Sequence, residues 1–176
     1  MQKKIEEIKV LNKFAKNVIR IARIRLARNK MNATKELANS LKYLVISKLS
    51  SAVTSLKFFG LDYWYYQDQG VKGTKSSYTQ NTKTKARYKE SSNLIGLEAK
   101  TGTFAAFAKR KGMQPRNKKG QFGSYKTMGF ILANSIKKKG IPASFFFSKA
   151  LDKGMESLPQ EYARAIINDN LKLTKK

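Results

Sequence analysis

From residue 5 to residue 30 apolar side chains return every three or four positions, with no Gly or Pro between them. Ile8, Leu11, Ala15, Val18, Ala22 and Leu26 form one stripe, and Val10, Phe14, Ile21 and Ile24 widen it on a neighbouring face. That period predicts one long amphipathic helix. After Met31 and Asn32 a short helical turn is expected in ATKELANSL, with Thr34 as its N-cap. SLKYLVIS (40–47) and AVTSLKFFG (52–60) are then rich in β-branched and aromatic residues and are joined by the short polar link KLSS. Two such runs predict an antiparallel hairpin. A helix over 36–49 competes, because Leu37, Leu41, Leu44 and Leu49 also fit helical spacing.

Next comes LDYWYYQDQGVKG (61–73), with Tyr63, Trp64, Tyr65 and Tyr66 in a row. Large amphipathic rings in such a run pack on a core or at a subunit interface and keep their hydroxyls wet. Stacking on nucleic-acid bases is the minority use. Gly70 suits a backbone that needs positive φ to leave the helix. Residues 74–124 have little apolar period and read as a basic, extended insertion, within which KTGTFAAFAKRKG can supply a short strand or helix. Order is expected again in YKTMGFILANSIKKKG (125–140), a helix with a face of Met128, Ile131, Leu132, Ser135 and Ile136 and a C-cap at Gly140. A last helix follows Pro142, split or kinked at Pro159, with buried stripes of Phe146, Leu151, Met155 and Leu158, then Tyr162, Ala165, Ile166 and Ile167. The pattern is α+β: long N-terminal and C-terminal helices on a small antiparallel sheet. It fits a single domain, with a core of 1–73 and 125–170 interrupted by the insertion.

Charge changes this picture more than any motif. The 176 residues carry 37 Lys plus Arg against 11 Asp plus Glu, a formal net charge of +26, with no His and no Cys. Self-repulsion on that scale points to a polyanion or an acidic partner nearby. The excess is uneven: residues 1–30 hold ten basic and two acidic side chains, 71–126 fourteen and two, and 141–176 six and four. On the first helix Lys9, Lys13, Lys16, Arg20 and Arg23 recur at alternating spacings of four and three, a basic stripe beside the apolar one. Such a stripe is either the solvated face of an amphipathic helix or a rail of cations for phosphates. Lys109, Arg110, Lys111, Arg116, Lys118 and Lys119 form a second basic group around Gly112, Pro115 and Gly120.

The same inventory narrows the chemistry. With no imidazole and no thiol, near-neutral general-base and thiolate routes are missing, and the few carboxylates stand in no catalytic or metal-ligating frame. No phosphate-binding loop, dinucleotide fingerprint, nucleophile elbow or zinc-protease motif occurs. No cofactor and no enzymatic activity are expected. A Tyr nucleophile in the YWYY run is the remote enzymatic alternative. The N-terminal MQKKIEEIKVLNKF lacks an apolar signal core and no run is long enough for a membrane span, so a soluble protein is expected.

Taken in order, the elements resemble the tail-completion and head–tail joining (neck) proteins of tailed bacteriophages. The residues that carry the resemblance are Thr34, Leu37, Ser40 and Leu41 in ATKELANSL before the hairpin, Tyr63, Tyr66, Asp68 and Gly70 after it, and the basic turn with a Phe-rich helix start in SIKKKGIPASFFFSKAL. The resemblance spans 1–73 and 125–170, and the length and basicity of the insertion depart from the family pattern. It implies an α+β subunit of a closed ring, six-fold or twelve-fold, that joins the portal–connector complex to the tail or terminates the tail tube. It also implies a virion location after assembly in the host cytoplasm, portal, adaptor and tail proteins as partners, and no catalysis. Packaged DNA in the channel would be met through phosphates without sequence preference. In this setting Tyr63 to Tyr66 would lie between subunits. The alternative class is a free, sequence-nonspecific nucleic-acid-binding protein using the 9–23 stripe and the 109–119 group.

Overall fold

The computed structural model describes residues 5–29, 35–47, 54–75 and 86–174, with side chains described as far as residue 169. The architecture is α+β, with eight helices and two small antiparallel sheets among the described residues. The chain forms two compact units, Met1–Trp64 with Phe145–Lys176, and Tyr65–Ser144.

The first unit is built on helix α1 (Ile5–Arg28), which buries Leu11, Phe14, Ala15, Val18, Ala22 and Leu26, close to the stripe read from the sequence. Ile24, expected to widen that stripe, is exposed. Helix α2 (Glu36–Ser40) is one short turn, and strands β1 (Lys42–Ser47) and β2 (Thr54–Phe59) pair antiparallel with Val45 opposite Leu56. Hairpin and helix readings of 36–49 thus divide the segment at Leu41, whose backbone is extended. Thr34 and the KLSS link lie outside the described residues. One hairpin face turns inward: Tyr43, Leu56 and Phe58 pack on the core of α1 with Phe146 and Phe147. Burial of each large core side chain such as Val18, Leu26 or Phe146 contributes about 1.5–3 kcal/mol.

Helices α7 (Ser148–Met155) and α8 (Leu158–Thr174) complete the unit. A Cβ on Gly154 would stand 2.7 Å from the Phe14 ring and 2.9 Å from Val18, so only glycine lets α7 approach α1 this closely. Helix α8 runs antiparallel to α1, with Asp169 at Glu6 and Glu161 at Lys13. Pro159 sits in the first turn of α8, where its missing N–H would be unpaired anyway, so of the two outcomes expected there the stretch is split into two helices and not kinked. Met155, Ile166 and Ile167, expected in the core, are exposed, while Ala165 of the same stripe is buried as expected; on α7 Ala150 and Gly154 take the contact instead.

Within residues 86–124 the second unit corrects the reading of an extended insertion. Residues 94–111 fold as helices α4 (Leu94–Thr101) and α5 (Thr103–Lys111), joined by Gly102 at φ 60°. Asn93 caps α4 by accepting from the Gly96 amide, and α5 packs on helix α6 (Tyr125–Lys139). The link between α4 and α5 is made by Glu98, almost fully buried: its carboxylate accepts from the Phe104 and Ala105 amides at 2.7 and 2.9 Å, capping the start of α5. Gly129 of α6 lies against that carboxylate, and a Cβ there would collide with it. The contact face of α6 is therefore Gly129 and Ala133, one step from the Met128, Leu132 and Ile136 face, and Ile131 is exposed. Helix α3 (Trp64–Gln69) leads through Gly70, at φ 78°, into β3 (Val71–Lys72), which pairs antiparallel with β4 (Gly140–Ile141). Gly140 closes α6 at φ 83°, as its position after the Lys triplet predicts.

Candidate functional site

The long basic stripe does not survive as a uniform rail. Lys9 pairs with Glu6 at 3.2 Å and Lys13 with Glu161 at 3.0 Å, so its first turns are balanced locally. The Lys13 contact holds the Glu161 carboxyl below its ordinary value. From Lys16 onward the surroundings change. Arg20 donates to the Asn17 side chain at 2.9 Å, and Arg23 donates to the Ala38 and Leu41 carbonyls at 2.8 and 3.3 Å. Arg23 thereby satisfies the open carbonyl end of α2 while its side chain stays exposed.

Two grooves flank this second half of α1. One, of about 590 Å³, is lined by Lys16, Arg20, Arg23 and Lys42 with an apolar floor of Ile19, Leu41 and Tyr43 and with Ile24 at its edge. The other, of about 510 Å³, is lined by Arg20, Arg25, Arg28 and Lys153 with Asn17, Ile21, Ile24 and Asn29. Arg20 and Ile24 form the ridge between them. Seven cations line the pair, and none of the described lining residues is acidic. Arg25, Arg28, Lys42 and Lys153 were not singled out from the sequence. The first two sit off the regular stripe, Lys42 belongs to β1, and Lys153 joins only because α7 packs on α1.

In the second unit the other basic group divides between the end of a helix and a closed turn. Lys109, Arg110 and Lys111 end α5, where cations complement the negative helix terminus. Beyond Gly112 the chain closes a small turn: Arg116 bridges to Phe122, and Asn117 Oδ1 accepts from the Lys119 and Gln121 amides at 2.9 Å each. The Arg116 guanidinium lies 4.4 Å from the centre of the exposed Phe122 ring. Lys118 and Lys119 are exposed at the end of this turn.

The aromatic run divides. Trp64 packs on Phe147, centroids 5.0 Å apart, and is taken up by the core. Tyr63, Tyr65 and Tyr66 are exposed, with Tyr65 and Tyr66 edge to face at 5.9 Å. Burial, then the Glu36 carboxylate, pushes the Tyr63 hydroxyl above the ordinary phenol value, the wrong direction for an activated nucleophile. Among the described residues no group of three or more His, Cys, Asp or Glu could hold a metal ion, and no helix is long and apolar enough to cross a membrane. What the surface offers is cations in grooves and exposed rings. Comparison with family models, curated proteins and solved structures returns no match.

Proposed function

We propose that this chain is a structural subunit of a tailed-bacteriophage neck, a ring-forming head–tail joining or tail-completion protein that works beside packaged DNA, by binding and assembly and not by catalysis. The order of sequence motifs suggests the family, and the α+β architecture is compatible with it. The observation that carries the reading is the hairpin. Among the described residues β1 and β2 have no third strand, and their outward face presents Leu44 and Phe59, each about half exposed, beside Lys42 and Lys57. Two strands alone are marginal, and apolar groups gathered on an outer face suit a neighbouring subunit. A ring also gives a +26 chain its counter-charge, by seating cationic grooves against DNA or an acidic neighbouring ring.

Light scattering and negative-stain microscopy of the purified protein test this reading. Closed rings are expected, and Leu44→Asp with Phe59→Asp should release folded monomers. A wild-type protein that stays monomeric at high concentration and is absent from particles would overturn it. That outcome would favour the second reading, a free nonspecific nucleic-acid-binding protein, which the acid-free grooves along α1 support.

A further inference from the structure

Of the two grooves along α1, one has the chemistry of an oxyanion site. Arg20, Arg25, Arg28 and Lys153 line it, with the carboxamides of Asn17 and Asn29 as further polar groups. The lining points to an anionic ligand: four like charges meet there without a described carboxylate, in contrast to the apolar floor of the neighbouring groove.

We infer that this groove binds the phosphodiester backbone of a nucleic acid, with Arg25 and Arg28 of α1 and Lys153 of α7 as its principal contacts. The inference rests on the reading that the chain works beside nucleic acid, and it names where the backbone is held. Guanidinium forks match phosphate oxygens in pairs, and they hold their charge at every physiological pH. A groove of about 510 Å³ falls in the range that holds extended organic ligands, so a run of linked phosphates fits it better than one free ion. No aromatic side chain is among its lining residues. Contacts go to the backbone and the binding is blind to sequence.

The test uses the full chain and a fluorescent mixed-sequence DNA duplex, with anisotropy read across a salt series. Replacing Arg25, Arg28 and Lys153 together with Gln should weaken binding about tenfold or more at physiological salt and lower the log–log salt slope by about 3, close to one unit per phosphate contact. Gln at three exposed lysines outside the groove, Lys89, Lys100 and Lys126, removes the same charge and should leave the slope nearly unchanged. Equal losses from both triples would overturn the site in favour of diffuse attraction. Arg25→Lys keeps the charge but loses the guanidinium fork, and a severalfold loss is expected; full affinity would overturn a paired phosphate contact at Arg25. Polyglutamate of matched charge should compete poorly. If it displaces the duplex as well as unlabelled DNA does, the groove is a site for acidic protein. Circular dichroism and light scattering on the same variants separate the outcomes. A wild-type monomer that keeps the salt-slope difference would count against the neck reading and leave the groove standing.

Discussion

At the residue scale, the scarce carboxylates hold the fold more than they balance its charge. Glu7, Asp68, Glu98 and Asp169 are buried in a chain with only eleven acids. Asp169 accepts from the Glu6 and Glu7 amides at 3.0 and 3.1 Å, capping α1 from the other end of the chain, as Glu98 caps α5. Glu98→Gln keeps the shape but replaces one acceptor with a donor facing an amide. It should cost about 1–3 kcal/mol, read by denaturant unfolding monitored on the helices of the second unit. Glu7 in turn accepts from the Tyr162 hydroxyl at 3.0 Å. Burial first, then that contact, raises the Tyr162 pKa above its ordinary value of 10.0. The folded protein therefore holds this proton more tightly than the unfolded chain does. The resulting stability is complete below pH 10 and is lost as pH rises through the folded value. The stability difference between wild type and Tyr162→Phe should accordingly stay flat up to about pH 10 and shrink above it. Neither cap was legible in the sequence: Asp169 reaches α1 from a helix far along the chain, and Glu98 reaches α5 from the preceding helix across the Gly102 turn, outside the local N-cap spacing. Arg25, Arg28 and Lys153 escaped for a related reason: their convergence depends on how α7 packs.

At the element scale, the period of apolar positions was a good guide where burial is one-sided and a poor one where small residues make the contact. Helix α1, the hairpin, the Gly70 exit and the Gly140 cap all stand where the pattern puts them. The faces of α6 and α7 were misplaced because Gly129, Ala133, Ala150 and Gly154 bury little area and carry little periodic signal. Close approach at such positions is sterically strict. Gly154→Ala should destabilise the first unit by about 1–3 kcal/mol, since the new methyl must displace Phe14 and Val18. A thermal melt of the variant checks this, and an unchanged midpoint would mean that α7 can move away without cost. Helix α4 was hidden differently, and the sequence of α5 fits a strand or a helix. Their short apolar runs lie in a lysine-rich segment, and the turn between them depends on Gly102 at positive φ together with the buried Glu98 cap.

At the scale of the whole molecule, a net charge of +26 makes folding itself sensitive to salt. Raising ionic strength from about 0.01 M to 0.15 M shortens the screening length from roughly 30 Å to 8 Å and weakens the self-repulsion. The melting midpoint should rise over that range, by about 2–4 °C for each kcal/mol recovered. A flat response would mean that the native cations are already compensated within the fold. The other whole-molecule property lies in one serine. Ser144 donates through its amide to the Asp68 carbonyl at 3.1 Å and through its hydroxyl to the Gln67 carbonyl at 2.7 Å. The chain thus leaves the second unit beside the point where it entered. A segment fastened in this way behaves as a cassette: cutting it out leaves two ends that a short linker can rejoin, and it can be carried on a different host loop. Residues 65–144 expressed alone should show a cooperative helical melt, and the same residues grafted between the strands of an unrelated hairpin should keep it.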